Sequence, residues 1–442
     1  MDPAMTAPEI AIAGSGGESS QRLDATPIAI AGSGEVTALG LGRERLEQAV
    51  AANASGLRDC PRLAGKGWQS TVGGFVPDEV WRSLRERDPA HAGAPAFLLA
   101  DAALREALED LSSSGRNAAP RLVSGGLPSA ATADLGNSLF DTVPPSRRGL
   151  VLSTTKADIT ALEGDFHHRP VSDMARRHLY PALLAADLGA AHDIAGPVQC
   201  VSIACVSGLI AIQQGALLIQ EDKADLVFVV GVDLFSDFVL SGFTVLRSLD
   251  PGGCRPFDAE RKGLSLGEGA GAVALARRER LAFPALTVTG WGSSNDANHL
   301  TGPSRDGSGL ALAMNRALKK AGVAPRGIDL VHAHGTGTSY NDAMEGMALR
   351  AVFGKTVPPY CSSKGLFGHT LGAAGLLETI VCLTAARQQR LPGTPRLLCP
   401  DPSVPDSLLR EPRPAESLRH ILKLNAGFGG VNAALVLEWE GG

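Results

Sequence analysis

The 442-residue chain has no excess of base: 41 Lys and Arg stand against 46 Asp and Glu, a formal net charge of -5. That balance cannot neutralise a phosphate backbone, so nucleic-acid binding is not expected. Cysteine is sparse too. The seven cysteines are odd in number, scattered and free of any CxxC pair, which argues against a disulfide framework and for a reducing compartment. The N-terminus, MDPAMTAPEIAIAGSGG, lacks a basic region followed by a long apolar stretch and carries Asp2 and Glu9, so no secretory signal is read there. A cytoplasmic location is expected. Gly32-Ser33-Gly34-Glu35-Val36-Thr37 misses the third glycine of GxGxxG, which leaves a dinucleotide site poorly supported.

No residue from Ile194 to Gln220 is charged, and such a run is long enough to span a bilayer. Yet it holds Gly196-Pro197, Ser202, Ser207 and Gln213-Gln214, and it changes from β-branched VQCVSI to helix-like SGLIAIQQGALLIQ. A strand running into a buried helix is the expectation, with no membrane contact.

What the chain does have is core material: 44% of residues are hydrophobic and 20% charged. The heptapeptide IAIAGSG occurs at Ile10–Gly16 and again at Ile28–Gly34, but only the second copy continues into a domain-like pattern, so residues 1–26 are taken as an extension. A weaker echo, LTVTGWGS at Leu286–Ser293, suggests two related halves, 27–282 and 283–442. Apolar strands are expected at Gly149–Ser153, Val198–Ala204, Leu226–Val232 and Ile328–Ala333, and an amphipathic helix at Ser308–Ala321, stopped by Gly322 and Pro325. Residues 112–148, rich in Ser, Gly and Pro, look like an irregular insertion. Alternating elements in both halves predict a layered α/β fold.

Several residues stand where chemistry is feasible. Cys205 falls between the strand VQCVSIA and the helix beginning at Val206-Ser207-Gly208, where helix N–H groups and the dipole would lower a thiol pKa; a buried small hydrophobe is the plain alternative. Cys200, mid-strand, is expected in the core. His334 closes the strand IDLVHAH and opens HGTGT at a sheet's carboxyl edge, where α/β proteins place ligands. His332, two residues earlier, reads as structural. Lys364 and His369 lie in SSKGLFGH ahead of a helix opened by Gly372-Ala373-Ala374-Gly375, whose small residues permit close approach to another backbone. Phe428, in NAGFGGVN between the strands ILKL and AALVLEW, is flanked by glycines that allow a backbone N–H to face a ligand.

In order and spacing, IACVSG, PFDAERKGLSLGEGAGAVAL, HGTGT, KGLFGHTLGAAG and GFGGVN match the β-ketoacyl-acyl-carrier-protein synthases. The chain resembles that thiolase-fold family, particularly its fatty-acid elongating and type II polyketide branches, over about residues 27–440 and weakly between about 55 and 148. The resemblance implies a thiolase-like α-β-α-β-α architecture and a decarboxylative condensation in which Cys205 accepts an acyl group from a carrier protein. It further implies that His334 and His369 donate hydrogen bonds to malonyl thioester, that Lys364 orders His369, and that Glu345 belongs to the same network. The N–H groups of Cys205 and Phe428 would form an oxyanion hole, with Phe428 as gate. No metal and no resident cofactor are implied, since phosphopantetheine arrives on the carrier protein.

The implied partners are an acidic acyl carrier protein, met near Arg247 and less strongly near Arg58, Arg62 and Lys66, and a second synthase subunit in a homodimer or heterodimer. Val206-Ser207 after the nucleophile and NAGFGG in the glycine loop depart from common elongating enzymes and leave chain length open. Two other readings compete: a non-elongating partner such as a chain-length factor, which typically lacks the nucleophile, and a cysteine hydrolase, for which HGTGT and KGLFGH offer no orienting carboxylate or amide.

Overall fold

The computed structural model describes residues 26–60, 63, 65–116 and 138–441. The first IAIAGSG copy, Arg62 and much of the 112–148 insertion lie outside the described residues. The insertion is shorter than expected at both ends: the helix Pro95–Arg116 (α1) runs into it, and a short helix, Leu139–Thr142, follows it.

Ten strands form the path of the main sheet, β1 Ile28–Thr37, β2 Arg148–Ser153, β3 Val198–Val201, β4 Leu226–Asp233, β5 Gly269–Arg277, β6 Leu286–Asn295, β7 Leu330–His332, β8 Tyr360–Cys361, β9 His420–Gly427 and β10 Val431–Trp439, and a two-residue strand, Gly40–Leu41, folds back on the end of β1. Their order, β8-β7-β9-β10-β6-β1-β5-β4-β2-β3, is one pattern used twice: β1-β5-β4-β2-β3 in the first half and β6-β10-β9-β7-β8 in the second. Pairing type repeats as well, antiparallel for the first two contacts of each series and parallel for the last two. The halves join where β1 meets β6 antiparallel.

Side-chain alternation along these strands assigns the layers. Ile28 and Ile30 face a central core with Val227, Val229, Ile421 and Leu435, while Ala29, Ala31, Phe228 and Val230 face an outer core of the first half. Leu422, Leu424 and Val436 face an outer core of the second half. The helices Ser207–Gln220 (α2) and Ala374–Gln388 (α5) fill the central layer, α1 covers the first half, and Ser308–Ala321 (α3) with Ser339–Phe353 (α4) covers the second. This is the five-layer α-β-α-β-α arrangement. The helix predicted at Ser308–Ala321 has those bounds and ends on left-handed Gly322. Two strands are shorter than read: Val198–Val201 stops where the chain turns into the nucleophile elbow, and Leu330–His332 starts late, after a 3-10 turn capped by Ile328.

The Gly-x-Gly pairs turn out to serve packing. A Cβ at Gly32 would lie 2.5 Å from the Ala107 carbonyl oxygen, and one at Gly34 would overlap that of Ala103; at Gly290 and Gly292 the same clash would fall on Ala317 and Ala313. In both halves a helix lies directly against glycine backbone, with its alanines four residues apart. Among the described residues, no helix is long and apolar enough to cross a membrane. The uncharged run is β3 followed by α2, as its composition predicts.

Candidate active site

Cys205 sits on a tight elbow between β3 and α2. Ala204 is forced to φ 45, and the turn is held by Ser207, whose hydroxyl accepts from the Ile203 N–H at 2.8 Å and donates to the Ala204 carbonyl at 2.6 Å. Small residues let the neighbours close in. A Cβ at Gly208 would stand 2.6 Å from the Leu376 nitrogen, and one at Gly375 2.9 Å from that of Leu209, so α2 and α5 touch backbone to backbone as the small-residue helix start suggests. Cys200 corrects the sequence reading: it is exposed, because β3 is the last strand of the sheet and pairs only with β2.

The second half brings its imidazoles to this elbow. His369 Nε2 lies 3.1 Å from Cys205 Sγ, and the His334 ring stands edge-on to that of His369 with centroids 5.2 Å apart. All three side chains are buried. His369 Nδ1 accepts from the Leu371 N–H at 3.2 Å, and His334 Nδ1 accepts from Asn425 Nδ2 at 2.9 Å. With Nδ1 an acceptor in both rings, each neutral imidazole carries its proton on Nε2. Burial, reinforced by the Lys364 charge, holds both histidines well below their usual pKa. The site therefore presents two neutral N–H donors beside a sulfur.

The thiol itself departs from expectation. Burial pushes Cys205 up to about 11, against the opposing pull of Lys364, Lys156 and the Phe428 N–H. Desolvation outweighs the favourable placement at the helix start. Phe428 lies in the β9–β10 hairpin, where a Cβ at Gly427 would be 3.2 Å from the Cys205 nitrogen, so the hairpin packs on the elbow and the Phe428 N–H meets the sulfur. The Phe428 ring is partly exposed and stacks on Phe243 of the helix Asp237–Val245 at 5.6 Å between centroids.

The chain matches the family profile "Beta-ketoacyl synthase, N-terminal domain" over residues 25–280 and "Beta-ketoacyl synthase, C-terminal domain" over residues 286–397. The chain belongs to the β-ketoacyl synthase family. A putative polyketide beta-ketoacyl synthase 1 of Streptomyces cyaneus is 33% identical over 329 residues, covering 69% of this chain and 78% of that one. The 3-oxoacyl-[acyl-carrier-protein] synthase 2 of Coxiella burnetii is 33% identical over 260 residues, 56% of this chain and 63% of that one. Among solved structures, the ishigamide ketosynthase/chain length factor superposes with a TM-score of 0.80 at 26% identity, covering 94% of this chain and all of that one. The fold is thus thiolase-like, and the protein is a condensing enzyme, an acyltransferase of the 3-oxoacyl synthase class.

Around the condensing centre the supporting groups are dense. Glu345 of α4 accepts from the backbone N–H groups of His334 and Gly335 at 2.7 and 2.6 Å and so fixes the HGTGT loop. Lys364 is fully buried, but its contacts correct the expected role: it bonds the His334 carbonyl at 3.2 Å, stands 3.5 Å from His334 Nδ1 and pairs with Glu378, so it orders His334 and reaches His369 only through space. His332 is structural, bonded to Ser363 Oγ at 2.6 Å. Glu378, Lys423 and Asn425 are additions for which no role was read from the motifs; a charged or amide side chain inside an otherwise apolar run (LLETIV, ILKLNA) is the available signal.

A cavity of about 810 Å³ opens over Cys205, His334, His369 and Phe428, with Arg247, Lys262 and Arg305 in its wall. Arg58 and Lys66 line other hollows. The Cys205, His334 and His369 donor atoms all lie within 4.8 Å of one another, close enough for a metal ion. Metal-binding histidines, however, donate from their second nitrogen to an acceptor. Here both second nitrogens face donors, which fits hydrogen-bonding imidazoles and not ligands.

Proposed function

We propose that this enzyme elongates a fatty-acid or polyketide chain, with Cys205 as nucleophile and His334 and His369 as the donors that drive decarboxylation. The observation that carries the reading is the pair of neutral Nε2–H groups held beside Cys205 Sγ. In the first stage the sulfur attacks an acyl thioester; the S–C bond to Cys205 forms, the pantetheine S–C bond breaks, and the departing thiol takes the proton given up by Cys205. The oxyanion would be met by the N–H groups of Cys205 and Phe428, a contribution of roughly 3 kcal/mol per donor.

In the second stage malonyl thioester enters the same cavity. Its carboxylate leaves as CO2, the electron pair passes into the thioester carbonyl, and the developing enolate oxygen accepts from the two imidazoles. The carbanion carbon then attacks the acyl carbon, the S–C bond to Cys205 breaks, and the released thiolate takes a proton from water. Neutral donors suit this step because a charged imidazolium would hold the malonyl carboxylate in its ground state. No resident cofactor takes part, the pantetheine arm being delivered by an acyl carrier protein.

That carrier is proposed to dock beside Arg247, Lys262 and Arg305, whose charges suit an acidic partner although the whole chain is net acidic. A second subunit is proposed to cover β3. This strand is paired on one side only, exposes Val198 and Cys200, and leads directly into the nucleophile elbow. A homodimer or a heterodimer with a related subunit satisfies that edge equally. The retained Cys205, His334 and His369 favour the elongating role over that of a silent chain-length factor.

The test is intact mass after incubation with acyl carrier protein, followed by malonyl carrier protein. An acyl adduct is expected on Cys205, absent from Cys205→Ala, and discharged as a 3-ketoacyl product with CO2. Release of free acid alone would show a hydrolase, and no adduct with any acyl donor or partner subunit would show a silent subunit.

A further inference from the structure

Lys423 lies in the middle of β9, and strand alternation decides where it points. Leu422, Leu424 and Ala426 face the outer core of the second half, so Lys423 and Asn425 share the other face with Ile421, toward α5. An ammonium there is fully buried. Its Nζ lies 2.8 Å from Glu378 Oε2 and 3.5 Å from the His332 carbonyl, and it also bonds the Leu424 carbonyl. All three neighbours are acceptors. An ammonium has three N–H donors to match them, whereas a neutral amine would leave one acceptor unpaired and its own lone pair unused.

Glu378 is shared. One oxygen pairs with Lys364, while the other takes Lys423 and, at 3.2 Å, Asn425 Nδ2. Asn425 in turn donates to His334 Nδ1. Two cations on one carboxylate leave a buried group with a net charge of one positive unit, and it sits behind the two imidazoles. Burying unbalanced charge is costly as a rule. A Lys364–Glu378 pair alone would have been neutral and would still have held His334.

Other charges near the imidazoles do not cancel this surplus by direct contact. The Glu345 oxygens are taken by two backbone N–H groups and Asn341, and burial with the nearby Asp342 carboxylate pushes it up to about 7. Asp342 faces Arg261 and backbone N–H groups. Asp233 accepts from Thr154, Thr155 and Gly372, and Lys156 adds a further cation on the Cys205 side.

We propose that Lys423 is a positioning residue for the condensation: by occupying half of Glu378 it leaves Lys364 incompletely neutralised, so the cluster behind His334 and His369 is cationic where the thiolate and the enolate form. The surplus charge is a cost to the resting enzyme that the reacting anions offset. This rests on the roles proposed for Cys205, His334 and His369, and the test is arranged to separate the two.

Three variants are compared: Lys423→Met, Glu378→Gln and the double variant. Alkylation of Cys205 by iodoacetamide at pH 7 needs no substrate, and decarboxylation of malonyl carrier protein reads the enolate. Lys423→Met should slow both by roughly tenfold, the order expected for a unit charge felt across a partly screened interior, without lowering the melting temperature. The double variant restores the single positive charge and should bring both rates back to within about threefold of wild type. Unchanged rates with a lowered melting temperature in Lys423→Met, or no recovery in the double variant, would overturn the proposal. Should Lys423→Met not fold, Glu378→Gln alone decides: faster alkylation supports the charge role and slower alkylation rejects it. If alkylation follows the predicted pattern while even the wild-type protein fails to decarboxylate malonate, the charge role stands and the condensing roles fall.

Discussion

The two halves share a strand order and a packing device, yet they supply opposite chemistry. The first half delivers an acid, the Cys205 thiol, on a helix-leading elbow; the second delivers two hydrogen-bond donors and the charges behind them. The scaffold is duplicated and the chemistry is not. A further difference follows the Gly-x-Gly strands. In register, Glu35 of β1 corresponds to Ser293 of β6. Glu35 is buried against Glu106, Asp110, Arg43 and Arg387, with both carboxyl oxygens lacking a hydrogen-bond partner, whereas Ser293 is half-buried. A repeated fold thus tolerates a liability in one copy that the other avoids.

The shared packing can be broken most severely. Gly34→Val and Gly292→Val each drive side-chain atoms into a helix carbonyl, and each should cost about 3 kcal/mol or more; thermal melts of the two variants should fall by similar amounts. A large drop for one and none for the other would show that the halves do not use their glycines alike.

The Glu35 contrast predicts a pH dependence of stability. Burial, then the Glu106 and Asp110 charges, push this carboxyl from 4.5 to about 8. Its folded pKa is raised, so the stability it lends is complete below about 4.5 and is lost as pH rises through about 8. Denaturant unfolding between pH 5 and 9 should show a decline that Glu35→Gln flattens, with the variant more stable at pH 8 by a few kcal/mol. Ser293→Ala should leave the profile unaltered.

The smallest expected effect concerns the aromatic pair that spans the halves. Phe243→Ala removes the stacking partner of Phe428 and should change the rate of acyl loading on Cys205 by about two- to tenfold, the scale of one aromatic contact. Stopped-flow loading with a single acyl carrier protein reads it. An unchanged rate would mean that the stack does not hold the hairpin during loading.

What could be read in advance were residues carried by loops with their own punctuation: Cys205 after a strand, His334 before glycines, His369 and Lys364 ahead of a small-residue helix, and Phe428 between glycines. Each shows in one short segment. The network behind them did not, because Lys423 and Asn425 of β9 meet Glu378 of α5 only once sheet and central layer have packed together. Cys200 was misplaced for a related reason: an apolar strand looks the same in the middle of a sheet and at its edge, and neighbours are a property of topology. The Cys205 pKa ran the other way because local sequence shows a helix start but not the depth at which it is buried.

Cys205 and His369 are separated by 164 residues of chain. On a ribosome, the sulfur emerges before either ring exists, so a nascent polypeptide holds a thiol with no imidazole beside it. The centre is whole only after the β9–β10 hairpin, with its asparagine and lysine, has been made.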